Sequence, residues 1–177
     1  MKEEKFIRDE LVFHLLKGNA HMSFEDAVAD FPQSKMNAKF TNGDYTFWHL
    51  IEHIRRTQYD ILDFIINPKY VEREWPKDYW PARIATQSIA GGTQKNQNAT
   101  KKDWDKTIKS FLADRFKLKK LVEDPKNDLY KKIPWGTGQT LIREILVIVD
   151  HNAYHLGEFA IMRQVLGAWD KKHSEES

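Results

Sequence analysis

Four stretches of this chain repeat apolar residues every three to four positions, and none alternates them convincingly every second position. That pattern predicts long amphipathic helices and no sheet. The clearest stretch runs from about Tyr45 to Ile66, with a stripe of Phe47, Leu50, Ile51, Ile54, Ile61, Leu62 and Ile65. Asp44 is its expected N-cap, and Asn67–Pro68 stops it, because the residue before a proline avoids helical backbone angles. An earlier helix is expected from about Glu3 to Lys17, through Phe6, Ile7, Leu11 and Leu15, ending at Gly18 and Asn19. Ser23 and Asp26 form a capping-box pair for a short extra helix. A third long helix is expected from about Lys101 to Val122, behind Thr100 and Asp103 and before Pro125. The fourth begins near Thr140 and closes at Gly167.

Four such helices predict an all-α fold, a four-helix bundle forming one domain over 1–177, with 170–177 as a polar tail. One connection is unusual. Roughly thirty residues lie between Pro68 and Ala99, where bundles commonly use two to eight. A segment of that length can cross the end of the bundle and let the second and third helices run parallel. It contains "WPKDYWP", read as packing over the bundle or, more sharply, as a wall or lid for a pocket. It also contains "GGTQKNQN", which lacks the Lys-Ser/Thr of a phosphate loop and reads as a flexible turn. The lysines of "KKDWDKTIKSFLADRFKLKKL" alternate with apolar positions and read as a solvated face.

Composition removes several classes of function. There is no cysteine, so disulfides, thiolate-bound zinc and a thiol nucleophile are excluded; thiol chemistry would need a thiol co-substrate. A net charge of +2, without a basic face or recognition motif, gives no footprint for nucleic acid. The most apolar run, "ILVIV", is bounded by Glu144 and Asp150 and is far too short to span a bilayer. The N-terminal stretch lacks the apolar core of a secretion signal, so a soluble cytoplasmic protein is expected.

Seven histidines carry what metal chemistry the chain can have: His14, His21, His49, His53, His151, His155 and His173. Residues four apart on a helix are surface neighbours, so His151 and His155 can point the same way and grip one ion. Both flank the apolar stripe of the fourth helix on one side, while Asn152 lies near its centre and needs a hydrogen-bond partner. Two neighbours do not complete a protein-bound site. On the second helix His53 leans inward and His49 is expected to face water, which makes His53 the candidate third ligand. His14 falls on an apolar face and reads as a hydrogen-bonded core histidine. His21 is a weaker candidate for a pocket rim, and His173 has no evident role.

The segments "WHLIEHIRRTQYDILDF", "DYWP" and "DHNAYHLGEFAIMRQVLG", together with "GNAHMSFEDAVADFP" upstream, resemble the DinB-like superfamily of metalloenzymes. The resemblance runs from about Gly18 to Trp169, and its last motif is the most specific. It implies a four-helix bundle of up-down-down-up topology. It also implies a divalent metal ion held by His53, His151 and His155, and often a homodimer. The family commonly has glutamine where this chain has Glu158. That residue lies three positions beyond His155 on the same flank and reads either as a carboxylate that orients the ligand or as a solvated glutamate.

Three imidazoles leave a coordination shell open to water or substrate. Such a site does not choose its metal, since zinc, nickel, cobalt and iron all accept imidazole; zinc and nickel are the leading ions, and zinc can bring the pKa of water to about 7 or polarise a carbonyl. Family members differ in activity: some transfer thiols such as bacillithiol or mycothiol, and some isomerise. The expectation is therefore a metal-dependent hydrolase or thiol S-transferase acting on a small molecule, the latter with a low-molecular-weight thiol co-substrate. No membrane or nucleic-acid partner is expected. The alternative is a non-catalytic metal- or small-ligand-binding protein.

Overall fold

A computed structural model describes residues 2–17, 19–41, 43–81 and 98–169. Most of the "GGTQKNQN" turn, the 170–177 tail and His173 lie outside those residues. The described chain forms helices α1 (Lys2–Leu16), α2 (Phe24–Val28), α3 (Phe47–Ile66), α4 (Lys101–Glu123) and α5 (Leu141–Val165). A single 3-10 turn lies at Gln33–Lys35. No strand occurs among the described residues; the nearest thing is one isolated bridge between Lys132 and Thr140.

Local chemistry sets the helix ends. Ser23 and Asp26 close a capping box on α2, and Thr100 and Asp103 close one on α4, each satisfying amides that a first turn leaves bare. The start of α3 differs from expectation. Its cap is Thr46 rather than Asp44: Thr46 has extended backbone angles, and its hydroxyl accepts from the His49 amide. At the other end of the chain, Gly167 takes a left-handed φ of 59°. This lets the Ala168 amide reach back to the Arg163 carbonyl at 2.8 Å and the Gly167 amide to Gln164, a Schellman closure of α5. The buried Arg163 guanidinium then ties this end to α2 through the Ala27 and Ala29 carbonyls.

Helices α3 and α1 each pack against both α4 and α5. Glu52 on α3 meets Thr107 on α4, and Gln58 meets the Phe111 carbonyl. On α1, Arg8 donates to carbonyls at Val122, Asp124 and Asn127 around the end of α4. Two apolar clusters fill the interior. One gathers Phe24, Phe31, Phe47, Ile51, Trp104 and Phe159, and the other Leu11, Leu15, Leu62, Leu118, Ile145 and Ile148. Between them lies a polar step in which Gln58 donates to the Phe111 carbonyl and accepts from Asn152 at 3.4 Å. Asn152 therefore has the partner its position demands, although its own carbonyl oxygen has none. Lys101, Lys102, Lys106, Lys109, Lys117 and Lys120 are exposed, as expected of a solvated face. No helix among the described residues is long and apolar enough to cross a membrane.

Candidate metal centre

Helices α3 and α5 bring His53, His151 and His155 together, with one ring nitrogen from each within 4.8 Å of the others. The spacing of four on α5 puts two rings on one flank, and α3 supplies the third from across the interface. His53 Nε2 lies 3.2 Å from His155 Nε2 and 3.2 Å from His151 Nε2.

The opposite ring nitrogens decide what those short distances mean. His53 Nδ1 is 3.1 Å from the Tyr79 carbonyl oxygen. A carbonyl can only accept, so the ring carries its proton on Nδ1 and presents a bare lone pair on Nε2. His155 Nδ1 is 2.8 Å from Glu158 Oε2, which fixes the same tautomer for that ring. Two lone pairs thus face each other across 3.2 Å, an arrangement that repels unless positive charge lies between them. A proton does not fill the gap at neutral pH. Burial holds His53 at about 4 and His155 at about 3, with smaller contributions from the cluster's other imidazoles, which resist a second charge beside them, and from Arg56 near His53. Burial likewise lowers His151. Imidazoles bound to zinc at tetrahedral angles have nitrogens about 3.3 Å apart, which matches the spacing here. The cluster could hold a divalent metal ion.

The surroundings restrain the rings further. The Trp80 ring stacks on His53 with centroids 3.9 Å apart and planes 6° apart. Trp75 and Tyr154, both exposed, stand edge-on to His53 and His155. Burial raises the Glu158 carboxyl above its ordinary value, so the group accepting from His155 is a stronger base than a surface glutamate. The "WPKDYWP" segment therefore does more than cover the bundle, since its Tyr79 carbonyl and Trp80 ring form one wall of the cluster. Its tryptophans were visible in sequence; a backbone carbonyl acceptor carries no sequence signature.

The remaining histidines stand apart. His49 does not face water: it is 3% exposed, because its ring turns back over the first turn of α3 and sits 2.7 Å from the Thr46 hydroxyl. His14 is not a core residue either. Its ring is exposed beside Glu10, since the inner face of α1 is taken by Arg8, Leu11 and Leu15. His21 is exposed and bonds to the neighbouring Met22 carbonyl, at the rim of a small cavity lined by Phe24, Phe111 and Leu156.

An all-helical chain with such a cluster belongs to the class of helical proteins that fit a metal ion. The sequence model of the DinB superfamily matches residues 19–159, and the chain belongs to that superfamily. No curated protein and no solved structure matched it.

Proposed function

We propose that this protein is a metal-dependent enzyme, a hydrolase or thiol S-transferase acting on a small molecule. His53, His151 and His155 are its ligands for a divalent ion, zinc or nickel, and Glu158 orients the His155 ring. The observation that carries this reading is the pair of lone pairs facing each other 3.2 Å apart, on rings whose protons are held on the far side. Buried imidazoles that stay neutral are in the state a metal ligand needs. The helix pairings support the up-down-down-up order: Glu52 with Thr107 and Gln58 with Phe111 fit parallel α3 and α4, while His53 with His155 and Gln58 with Asn152 fit antiparallel α3 and α5.

A divalent ion held by three imidazoles would supply Lewis acidity, able to polarise a carbonyl or stabilise the thiolate of a co-substrate. The chain's own groups do the rest. Tyr79 and Glu158 keep two ring protons away from the cluster, Trp80 fixes the plane of His53, and Trp75 and Tyr154 offer apolar edges beside it. The absence of cysteine means that a transferred thiol comes from solution.

The test is a panel of esters, amides and electrophiles, each with and without a low-molecular-weight thiol. It compares zinc- and nickel-loaded wild type with the His53→Ala variant exposed to the same metals. Turnover confined to the wild type supports the reading. Metal binding with no turnover across the panel returns the chain to a metal-binding protein without catalysis.

A further inference from the structure

The helix that carries His53 also carries a buried carboxylate, for which no hydrogen bond to the three rings is seen. Asp60 lies seven residues beyond His53, two turns along the same flank of α3, and is buried at 6% exposure. Three donors converge on it from the segment after α3. The Tyr70 hydroxyl and Arg73 Nε reach Oδ1 at 3.0 and 2.7 Å, and the Tyr79 hydroxyl reaches Oδ2 at 2.7 Å. Arg73 also reaches Asp63, and Arg56 holds the Asp78 and Trp80 carbonyls. One carboxylate thus pins both the beginning and the end of a ten-residue strap running from Tyr70 to Tyr79. At its end, Tyr79 faces two ways: its hydroxyl goes to Asp60 and its carbonyl accepts from His53 Nδ1.

We propose that Asp60 is a positioning residue of the three-histidine cluster, acting through Tyr79. By fixing the Tyr79 hydroxyl, it holds the Tyr79 carbonyl where that oxygen selects the His53 tautomer and keeps Nε2 bare. The proposal rests on the metal-site reading for its purpose, but its geometry exists without a metal. The coupling has a physical basis. A hydrogen bond from a neutral hydroxyl to a carboxylate is roughly twice as strong as a neutral pair. Burial and the Asp60 charge also raise the Tyr79 hydroxyl, so it remains a donor at neutral pH. Acceptors on the far nitrogen of a metal-ligating histidine set its orientation and basicity, and losing one commonly costs about ten- to a hundredfold in metal affinity. Asp60 stands one residue further out than such an acceptor, so about tenfold is the expected loss.

The test compares Tyr79→Phe and Asp60→Asn with Tyr70→Phe. The last removes a similar hydroxyl from the same carboxylate at the far end of the strap. In metal-free protein, nitrogen-15 NMR of the histidine rings reads the tautomer of His53, and proton exchange reads the protection of its Nδ1–H. Tyr79→Phe and Asp60→Asn should shift His53 toward a mixture of tautomers and speed that exchange about tenfold, with zinc affinity falling by a similar factor. Tyr70→Phe should leave the His53 signals where they are in wild type. Wild-type tautomer and exchange in Tyr79→Phe would overturn the proposal, as would an equal disturbance in Tyr70→Phe. A wild type that binds no zinc would sink the metal reading but not this one, because the ring measurement needs no metal.

Discussion

His49 and His53 lie one turn apart on α3 and are equally buried, at 3% and 2% exposure, yet their neighbours use them in opposite ways. The His49 ring folds back to Thr46, whose hydroxyl and backbone amide both reach its Nδ1 while the His49 amide donates to that hydroxyl, and it completes a helix end. His53 is held on its outer nitrogen by a carbonyl, and its inner nitrogen is aimed at two other imidazoles. Burial therefore does not distinguish a structural histidine from a candidate ligand. What distinguishes them is where the second nitrogen points and whether that direction is already satisfied. The same contrast holds on α5, where Asn152 faces the interior and bonds to Gln58, while His151 and His155 on either side of it turn to the cluster.

The largest effect that can break this contrast is His53→Ala. It should abolish stoichiometric zinc or nickel retention, a loss beyond a hundredfold in affinity, because two imidazoles on one helix do not complete a protein site. Metal analysis after gel filtration measures it; full retention would place His53 in the same structural role as His49. Next comes Glu158→Gln, which keeps the shape but weakens the acceptor on His155. Zinc affinity should fall about tenfold, read by competition with a chelator of known affinity.

Acid sensitivity sharpens the comparison further. His53 and His155 are lowered from 6.5 to about 4 and about 3, chiefly by burial. Below pH 6.5 the unfolded chain takes up protons that the folded, metal-free chain refuses. The stability these rings allow is thus whole above about pH 6.5 and is lost progressively as the pH falls through 4 toward 3. Melting temperatures of metal-free wild type should decline across that window, and His53→Gln should decline less steeply. The smallest effect is expected at His49. His49→Ala should cost about 1–2 kcal/mol of stability through the lost cap contacts, measured by denaturant unfolding, while metal content stays at the wild-type value.

How much of this was legible in the sequence follows from which interactions are periodic. The stripes of α3, α4 and α5 and the capping pairs at Ser23 and Thr100 are local patterns, and the helices form where those patterns lie. The approach of His53 to His151 and His155 was readable from inner-flank positions at similar depth along two helices. A helical wheel projects side chains radially, however, and so sent His49 outward. It does not encode a ring that bends back along the axis to cap its own helix. The same limit applied to His14, whose inner position on α1 is taken by Arg8 reaching across to α4. Asp60 carried a readable signal, an acid seven residues from His53 beside Ile61 and Leu62. Its partners Tyr70, Arg73 and Tyr79 lie on an irregular segment whose path no periodicity describes.

The proposed function requires three imidazoles from two helices to bind one divalent ion. X-ray absorption of zinc-loaded protein at one equivalent tests it most directly. Three imidazole nitrogens are expected at about 2.0–2.1 Å from the metal, falling to two or fewer in His53→Ala. A wild-type spectrum dominated by oxygen ligands, or one unchanged by removing His53, would contradict it.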